Sequence, residues 1–442
     1  LLRPAVFQRH FLPRPVYCSS YQSSLSFEGI RKRAIEHMVE NGAPSGLPQT
    51  VDQDQRMAVR FTLLMTGTMT VMAGATIAPA LPALADHFSG SPNVEYLSRF
   101  LITLPSIVIA IFAPFAGFIV DRFGRKRLLV SGIVLYGIAG SAGFFLTSLS
   151  GILISRAFLG LGVTGVMTVS STLMGDYFSG RVRERFMGFR QGFIQYGGVV
   201  FLTLGGILAS FDWRAPFLVY LLAFAILPLA LIFIFEPDRN RPLDDAETSR
   251  GPSVPYFVIA MLYGIGVLQS VAFYMGPTQL AFFLRDVGVF SPTVAGLAMA
   301  LISFASATVS MFTFFWFRRT FSRDSIFIIA FVGFGTSYWL MTVVTSLVPI
   351  LFVLSLTGAC LGLLMPNLSL WVIDIAPARV RGRILGGLAT SIFVGHFLSP
   401  LVSQPIAEAW NIGTAYAVLG TAMVFVGLFF AIRRRRRESP AD

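Results

Sequence analysis

Long apolar runs and short polar breaks alternate along the chain. Runs of about twenty residues or more, the length a helix needs to cross a bilayer, are predicted at Phe61–Leu84, Phe100–Val120, Leu128–Thr147, Ile152–Tyr177, Phe186–Ser210 and Ala215–Phe235. Six more follow at Tyr256–Leu284, Val294–Phe317, Ile326–Thr345, Pro349–Ile373, Ile384–Ala407 and Thr414–Ile432. Backbone polar groups in lipid must be satisfied within their own segment, so each run reads as a helix. The pattern predicts an all-α membrane protein with 12 transmembrane helices. Its expected organisation is a disordered or non-native N-terminal extension (1–56), a six-helix bundle (57–235), a cytoplasmic linker (236–255), a second six-helix bundle (256–432) and a basic cytoplasmic tail (433–442). Leu1–Ser26 is rich in Arg and Ser and lacks acids, a superficial likeness to a transit peptide. We read residues 1–56 instead as a disordered tail or as upstream sequence, with Met38 or Met57 as alternative starts.

Charge sharpens this picture. Charged residues make up 13% of the chain and hydrophobic ones 55%, against about 25% charged in soluble domains. The net charge of +12 would suit a nucleic-acid partner, but its distribution argues otherwise. With the amino terminus in the cytoplasm, inward loops and the tail hold 22 basic residues, while outward loops hold Arg99, Arg214 and Arg285 only. This asymmetry orients both termini to the cytoplasm, and the expected location is a bacterial cytoplasmic membrane. Arg156 is then the one arginine expected inside a span. Cys18 and Cys360 lie far apart, and no metal-ligand cluster or nucleotide-binding loop is evident. No cofactor, metal or enzyme activity is expected.

The stretch Gly117–Arg127 joins two spans and packs Arg122, Arg125, Lys126 and Arg127 around one acid, Asp121, with Gly117 and Gly124 for packing and turning. A positive-inside anchor explains the cations and leaves the acid unexplained, so we read the loop as a conformational switch. The chain also repeats itself. Asp176 and the Arg181-Val182-Arg183, Arg185 and Gly188 that follow recur as Asp374, Arg379-Val380-Arg381, Arg383 and Gly386, always 198 positions later. The same offset maps Arg125 onto Arg323 and Pro79 onto Pro277. Two six-helix halves in parallel orientation place a substrate site between them, near mid-membrane.

On these residues the chain resembles the major facilitator superfamily over Met57–Arg437. Gly117-x-x-x-Asp121-Arg122-x-Gly124-Arg125-Lys126 matches that family's loop between helices 2 and 3. Ile154-Ser-Arg156-Ala-Phe-Leu-Gly160-Leu-Gly162 and Ile77-Ala-Pro79-Ala-Leu-Pro82-Ala-Leu-Ala-Asp86 resemble segments of its drug:proton antiporters. Helix 5 departs from type, with Gly197-Gly198 and Gly205-Gly206 but no proline. The resemblance implies proton-coupled efflux of hydrophobic or amphipathic molecules by alternating access. The alternative is transport of an organic anion, a metabolite or siderophore, with Arg156 as anion partner; a receptor or scaffold is a third reading, without a folded appendage to favour it. The expected partners are a small-molecule substrate, protons and the lipid bilayer, acting on a monomer.

The expected proton-coupling residues are Asp86, Arg156 and His396. A charge inside the bilayer is costly and is retained for function or snorkels to the surface; a lone His is as readily a packing residue. The resemblance implies that Asp176 pairs with Arg125. It also implies a cavity lined by helices 1, 4, 7 and 10 with parts of 5, 8 and 11. Its polar candidates are Thr70, Gln191, Gln195, Tyr196, Gln269, Tyr274, Asn367 and Ser391, and Phe and Met suit an amphipathic guest.

Overall fold

A computed structural model describes residues 53–178, 180–237, 256–377 and 380–438. Nearly all of the expected extension and of the expected linker lie outside them, and residues 53–56 of that extension are helical. The helices are α1 (Gln53–Ala75), α2 (Leu81–His87), α3 (Val94–Phe123), α4 (Arg125–Phe145), α5 (Leu149–Tyr177), α6 (Gly180–Ala209) and α7 (Leu222–Phe233). The second half holds α8 (Tyr256–Asp286), α9 (Pro292–Thr308), α10 (Phe314–Thr320), α11 (Arg323–Leu340), α12 (Leu347–Ile375), α13 (Arg381–Ala409) and α14 (Ile412–Glu438). Short 3₁₀ turns join α1 to α2 and lead into α7, and a π turn over Val309–Thr313 joins α9 to α10.

Among the described residues eleven helical segments are long and apolar enough to cross a membrane. The ninth expected span corresponds to α11, whose 18 residues open on Arg323 and Asp324 and so dilute its apolarity. Its inner face, with Ile326, Phe327, Phe331 and Phe334 fully buried, packs against α12 and α14. Several helices outrun their apolar runs. Helix α1 begins eight residues before Phe61, and α14 continues through the five arginines expected as a tail. Polar side chains at a helix end reach water while the backbone stays hydrogen-bonded.

The internal repeat is visible in the helix boundaries. Leu149–Tyr177 and Leu347–Ile375 are displaced by the same 198 positions as the sequence motif. Within each half the equivalent pair α4 and α5, or α11 and α12, packs together; between halves α3 meets α13 and α6 meets α9. Tyrosine hydroxyls stitch neighbouring helices by donating to main-chain carbonyls: Tyr136 to Met69 at 2.8 Å, Tyr220 to Ala73 at 2.9 Å and Tyr338 to Ala272 at 2.5 Å. Small residues let helices approach where apolar burial gives no drive in lipid. Gly205 meets the Thr76 carbonyl of the first span, and Gly206 would place a Cβ 2.7 Å from the Pro292 carbonyl of α9. Many phenylalanines, Phe112, Phe115 and Phe118 on α3 among them, are exposed on the helix surface, the position of a lipid-facing belt rather than a guest pocket.

Candidate functional site

One face of the bundle carries Arg122, Arg125, Lys126, Arg127 and Arg323. At the opposite face the two halves are joined. Arg285 of α8 donates to Asp86 of α2 at 2.7 Å. Beside it lies a polar lattice. Arg99 of α3, almost fully buried, donates through Nε to Gln279 of α8 at 3.1 Å and through Nη1 to Glu95 at 2.8 Å. The Gln279 amide donates to Ser403 at 3.0 Å and to Gln404 at 3.1 Å, both on α13. Gln404 donates to Glu408 at 3.0 Å, and Tyr96 donates to the same carboxylate at 3.0 Å. Phe282 lies under the Arg99 guanidinium at 4.0 Å, and Phe100 stacks on Phe397 at 5.7 Å. Arg99 was expected in an outer loop and Arg156 as the lone arginine of a span. Helix α3 starts earlier than its apolar run, at Val94, and draws Arg99 into the seam.

The basic face is organised within each half rather than across them. Arg125 Nε donates to Asp176 at 3.3 Å, the expected pair. Arg323 and Asp374 repeat this pair in the second half. Glu236, expected as the start of a linker, caps α4: its two carboxylate oxygens accept the main-chain N–H groups of Arg125 at 2.7 Å and Lys126 at 2.8 Å. Gly124, at φ 90°, supplies the left-handed turn that exposes those donors. A carboxylate there also meets the positive end of the helix. The side chains of Gly117 and Asp121 lie outside the described set, and Arg122 is exposed. Cβ positions built at Gly188, Gly382 and Gly386 would meet nothing within 4 Å, so there is open space beside these glycines, although Tyr263 of α8 holds the start of α13 by donating to the Ile384 carbonyl at 2.7 Å. Among the described residues, the side-chain hydrogen bonds that join the halves lie at the Asp86 end and at Tyr274.

Between these ends the expected residues separate into three groups. Tyr274, on α8, donates across the halves to the Ile102 carbonyl at 3.2 Å, rests on Gly74 of α1, and stacks on the His396 ring at 4.2 Å. His396 Nε2 is buried without a partner among the described residues. So are both amide atoms of Gln269 and the hydroxyl of Ser270, close to where Gly395 packs on Ser270. Ser391, one turn before, binds the Leu388 carbonyl at 2.7 Å and faces Gly266. A second group lies on α1 and α6. Thr70 binds the Gly67 carbonyl at 2.8 Å, Gln191 is exposed, Gln195 is half-buried, and Tyr196 meets Phe304 of the other half edge-on at 6.2 Å.

The third group turns away from the interface. Asn367 donates to the Arg323 carbonyl at 3.2 Å and so braces α12 against α11. Arg156 is fully buried; it donates to Gly140 at 2.6 Å and Ala139 at 3.3 Å, and lies 4.9 Å from the rings of Phe217 and Tyr220. All of these belong to the first half. The structure brings Asp86 to Arg285, not to Arg156. Sequence reasoning missed Arg99, Gln279, Gln404 and Glu408 as a unit, since no local pattern links residues 180 and 125 positions apart. Arg190, within the expected span Phe186–Ser210, lies inside α6 against Gly67.

A duplicated six-helix membrane bundle, joined by hydrogen bonds at one end, with polar groups from both halves at its interface, is the architecture of an alternating-access transporter. The model of the Major Facilitator Superfamily matches residues 63–289 and again 262–442, and the chain belongs to that family. It is 23% identical over 363 residues to multidrug resistance protein 1 of Bacillus subtilis, covering 79% of this chain and 90% of the relative. It is 24% identical over 397 residues to the class H tetracycline resistance protein of Pasteurella multocida, covering 86% and 96%. Among solved structures it resembles the xylose transporter of E. coli in an inward open conformation, with a TM-score of 0.68, 17% identity and coverage of 85% and 95%.

Proposed function

We propose that this transporter exports hydrophobic or amphipathic small molecules in exchange for protons, with its basic face and both termini in the cytoplasm. The observation that carries the reading is the one-sided closure: a hydrogen-bonded seal between Asp86, Arg99, Gln279, Arg285 and Glu408 at one end, against open space beside Gly188, Gly382 and Gly386 at the other. Such a state loads from the cytoplasm. The full-length likeness to multidrug and tetracycline resistance proteins supports export. His396 takes the proton-carrying role best among the expected residues. It stands at the interface with an unpartnered ring nitrogen, whereas Arg156 is tied into the first half. Asp86 acts at the seal, exchanging its Arg285 partner for water or a proton when that end opens.

Reconstituted vesicles with an imposed pH gradient test this. A fluorescent amphipathic compound should accumulate against its gradient in the wild type. His396→Gln should abolish that accumulation but retain exchange of labelled for unlabelled compound. Uphill transport at the wild-type rate in His396→Gln would move the coupling elsewhere. Labelling of a cysteine at position 91 from the cytoplasmic side would reverse the orientation.

A further inference from the structure

Arg190 lies five residues inside the segment Arg185–Ala209 that is apolar enough to cross a membrane. Its side chain is half-buried, and its Nε is buried without a hydrogen-bond partner. Among the described residues no hydrogen bond or ion pair reaches the guanidinium. A Cβ at Gly67 would sit 2.9 Å from that Nε, so the side chain lies over Gly67. Gly67, Thr70 and Gly74 fall on one face of α1 by helical spacing, and Gly74 is the residue on which Tyr274 of the other half rests. Further along α6, Cβ atoms at Gly192 and Gly198 would meet Met311 and Ser303 of the other half, so this stretch of α6 lies at the seam between the halves.

Among the described residues no counter-charge reaches it. The acids whose side chains are described sit towards the two ends: Asp86, Glu95, Asp212, Asp286 and Glu408 at one, and Asp176, Glu236, Asp324 and Asp374 at the basic face. The repeat position of Arg190 is Leu388, which is buried, so a cation is not a framework need of the fold. A partly desolvated guanidinium is costly unless an anion shares its site, and its fork is shaped for a carboxylate. An acid-free interior equally disfavours a cationic guest.

We propose that Arg190 is the anion-binding residue of the transport site, and that the cargo is an amphipathic organic anion whose carboxylate sits on Arg190. This rests on the transporter reading but is tested by binding alone. The probes are 2-naphthoate, 2-naphthamide and a naphthyl trimethylammonium ion, measured by equilibrium dialysis against the purified protein in phosphatidylcholine nanodiscs, with empty discs subtracted. Wild type should bind the carboxylate in preference to the amide and the cation. Arg190→Gln should weaken the carboxylate roughly 10- to 100-fold, as for loss of a charged hydrogen bond, and leave the amide unchanged.

Arg190→Lys should fall between. Gly67→Ala, which keeps the charge but crowds Nε, should weaken the carboxylate and spare the amide. It keeps the test open should Arg190→Gln fold poorly. Equal or tighter binding of the cation, no binding of naphthoate by wild type, or unchanged naphthoate binding in Arg190→Gln overturns the proposal. So does an Arg190 dependence seen only as stabilisation by phosphatidylglycerol, which assigns the site to a lipid headgroup. If vesicles move none of the three probes while binding stays dependent on Arg190, transport fails as a reading and this site stands.

Discussion

Arg99, Arg156 and Arg190 all lie within membrane helices, and each is accommodated differently. Arg99 is shared among side chains of both halves, Arg156 is caged by two rings and two carbonyls of one half, and Arg190 Nε has no hydrogen-bond partner among the described residues. Their sequence contexts do not announce this difference. Arg156 stood out because it interrupts an apolar run, but that interruption is a packing device: its guanidinium ties α5 to α4 and to the turn before α7. Arg156→Ala should therefore act on stability first, by about 2–4 kcal/mol from lost cation–π contacts, hydrogen bonds and volume. A thermal unfolding scan of the purified protein should show a clearly lowered midpoint. Normal stability with loss of uphill transport alone would restore a coupling role.

At the scale of helices, the repeat and the spans were legible because membrane helices carry their signal locally, in length and apolarity. The Arg125–Asp176 pair was legible through the family resemblance, and its copy Arg323–Asp374 stands at the repeat's offset. The seal was not, since Arg99 and Gln279 belong to different halves and only the closed geometry joins them. Nor was the Glu236 cap, which lay hidden at the edge of a polar stretch read as linker. The same geometry predicts a bias. Gln279 links α8 to α3 and α13, so Gln279→Leu strands the Arg99 Nε and removes the bridge to Ser403 and Gln404. Spin labels on the Asp86-side ends of α3 and α13 should then show a new, longer distance in a substantial fraction of molecules. An unchanged distribution would mean that apolar packing alone, such as Phe100 on Phe397, keeps this end shut. The companion expectation concerns Asp121, whose side chain lies outside the described residues: Asp121→Asn should bias the carrier towards the state open at the basic face and slow turnover, read as a changed distance distribution between spin labels on the basic-face ends of α3 and α13.

At the scale of the whole molecule, the seal at one end has an electrical meaning. Water entering from the basic face brings the interior to the potential of that side, so nearly all the membrane voltage falls across the thin layer around Arg99 and Glu408. When the halves rock, the insulating layer passes to the other end. A fixed charge inside the span, such as Arg190 five residues within its segment, then crosses part of the voltage without moving. One elementary charge through 100 mV is worth about 2.3 kcal/mol; even half of that changes a rate roughly sevenfold. The empty carrier should reorient with a measurable displacement current on a supported membrane, and saturating 2-naphthoate, by neutralising the site, should silence it. Arg190→Gln should silence it without ligand. A current of equal size in all three conditions would place the moving charge in the seal itself. The polarity of the cell would then act as a ratchet on the unladen half of the cycle only, hastening the return of the empty protein or holding it back while leaving the laden step to chemistry.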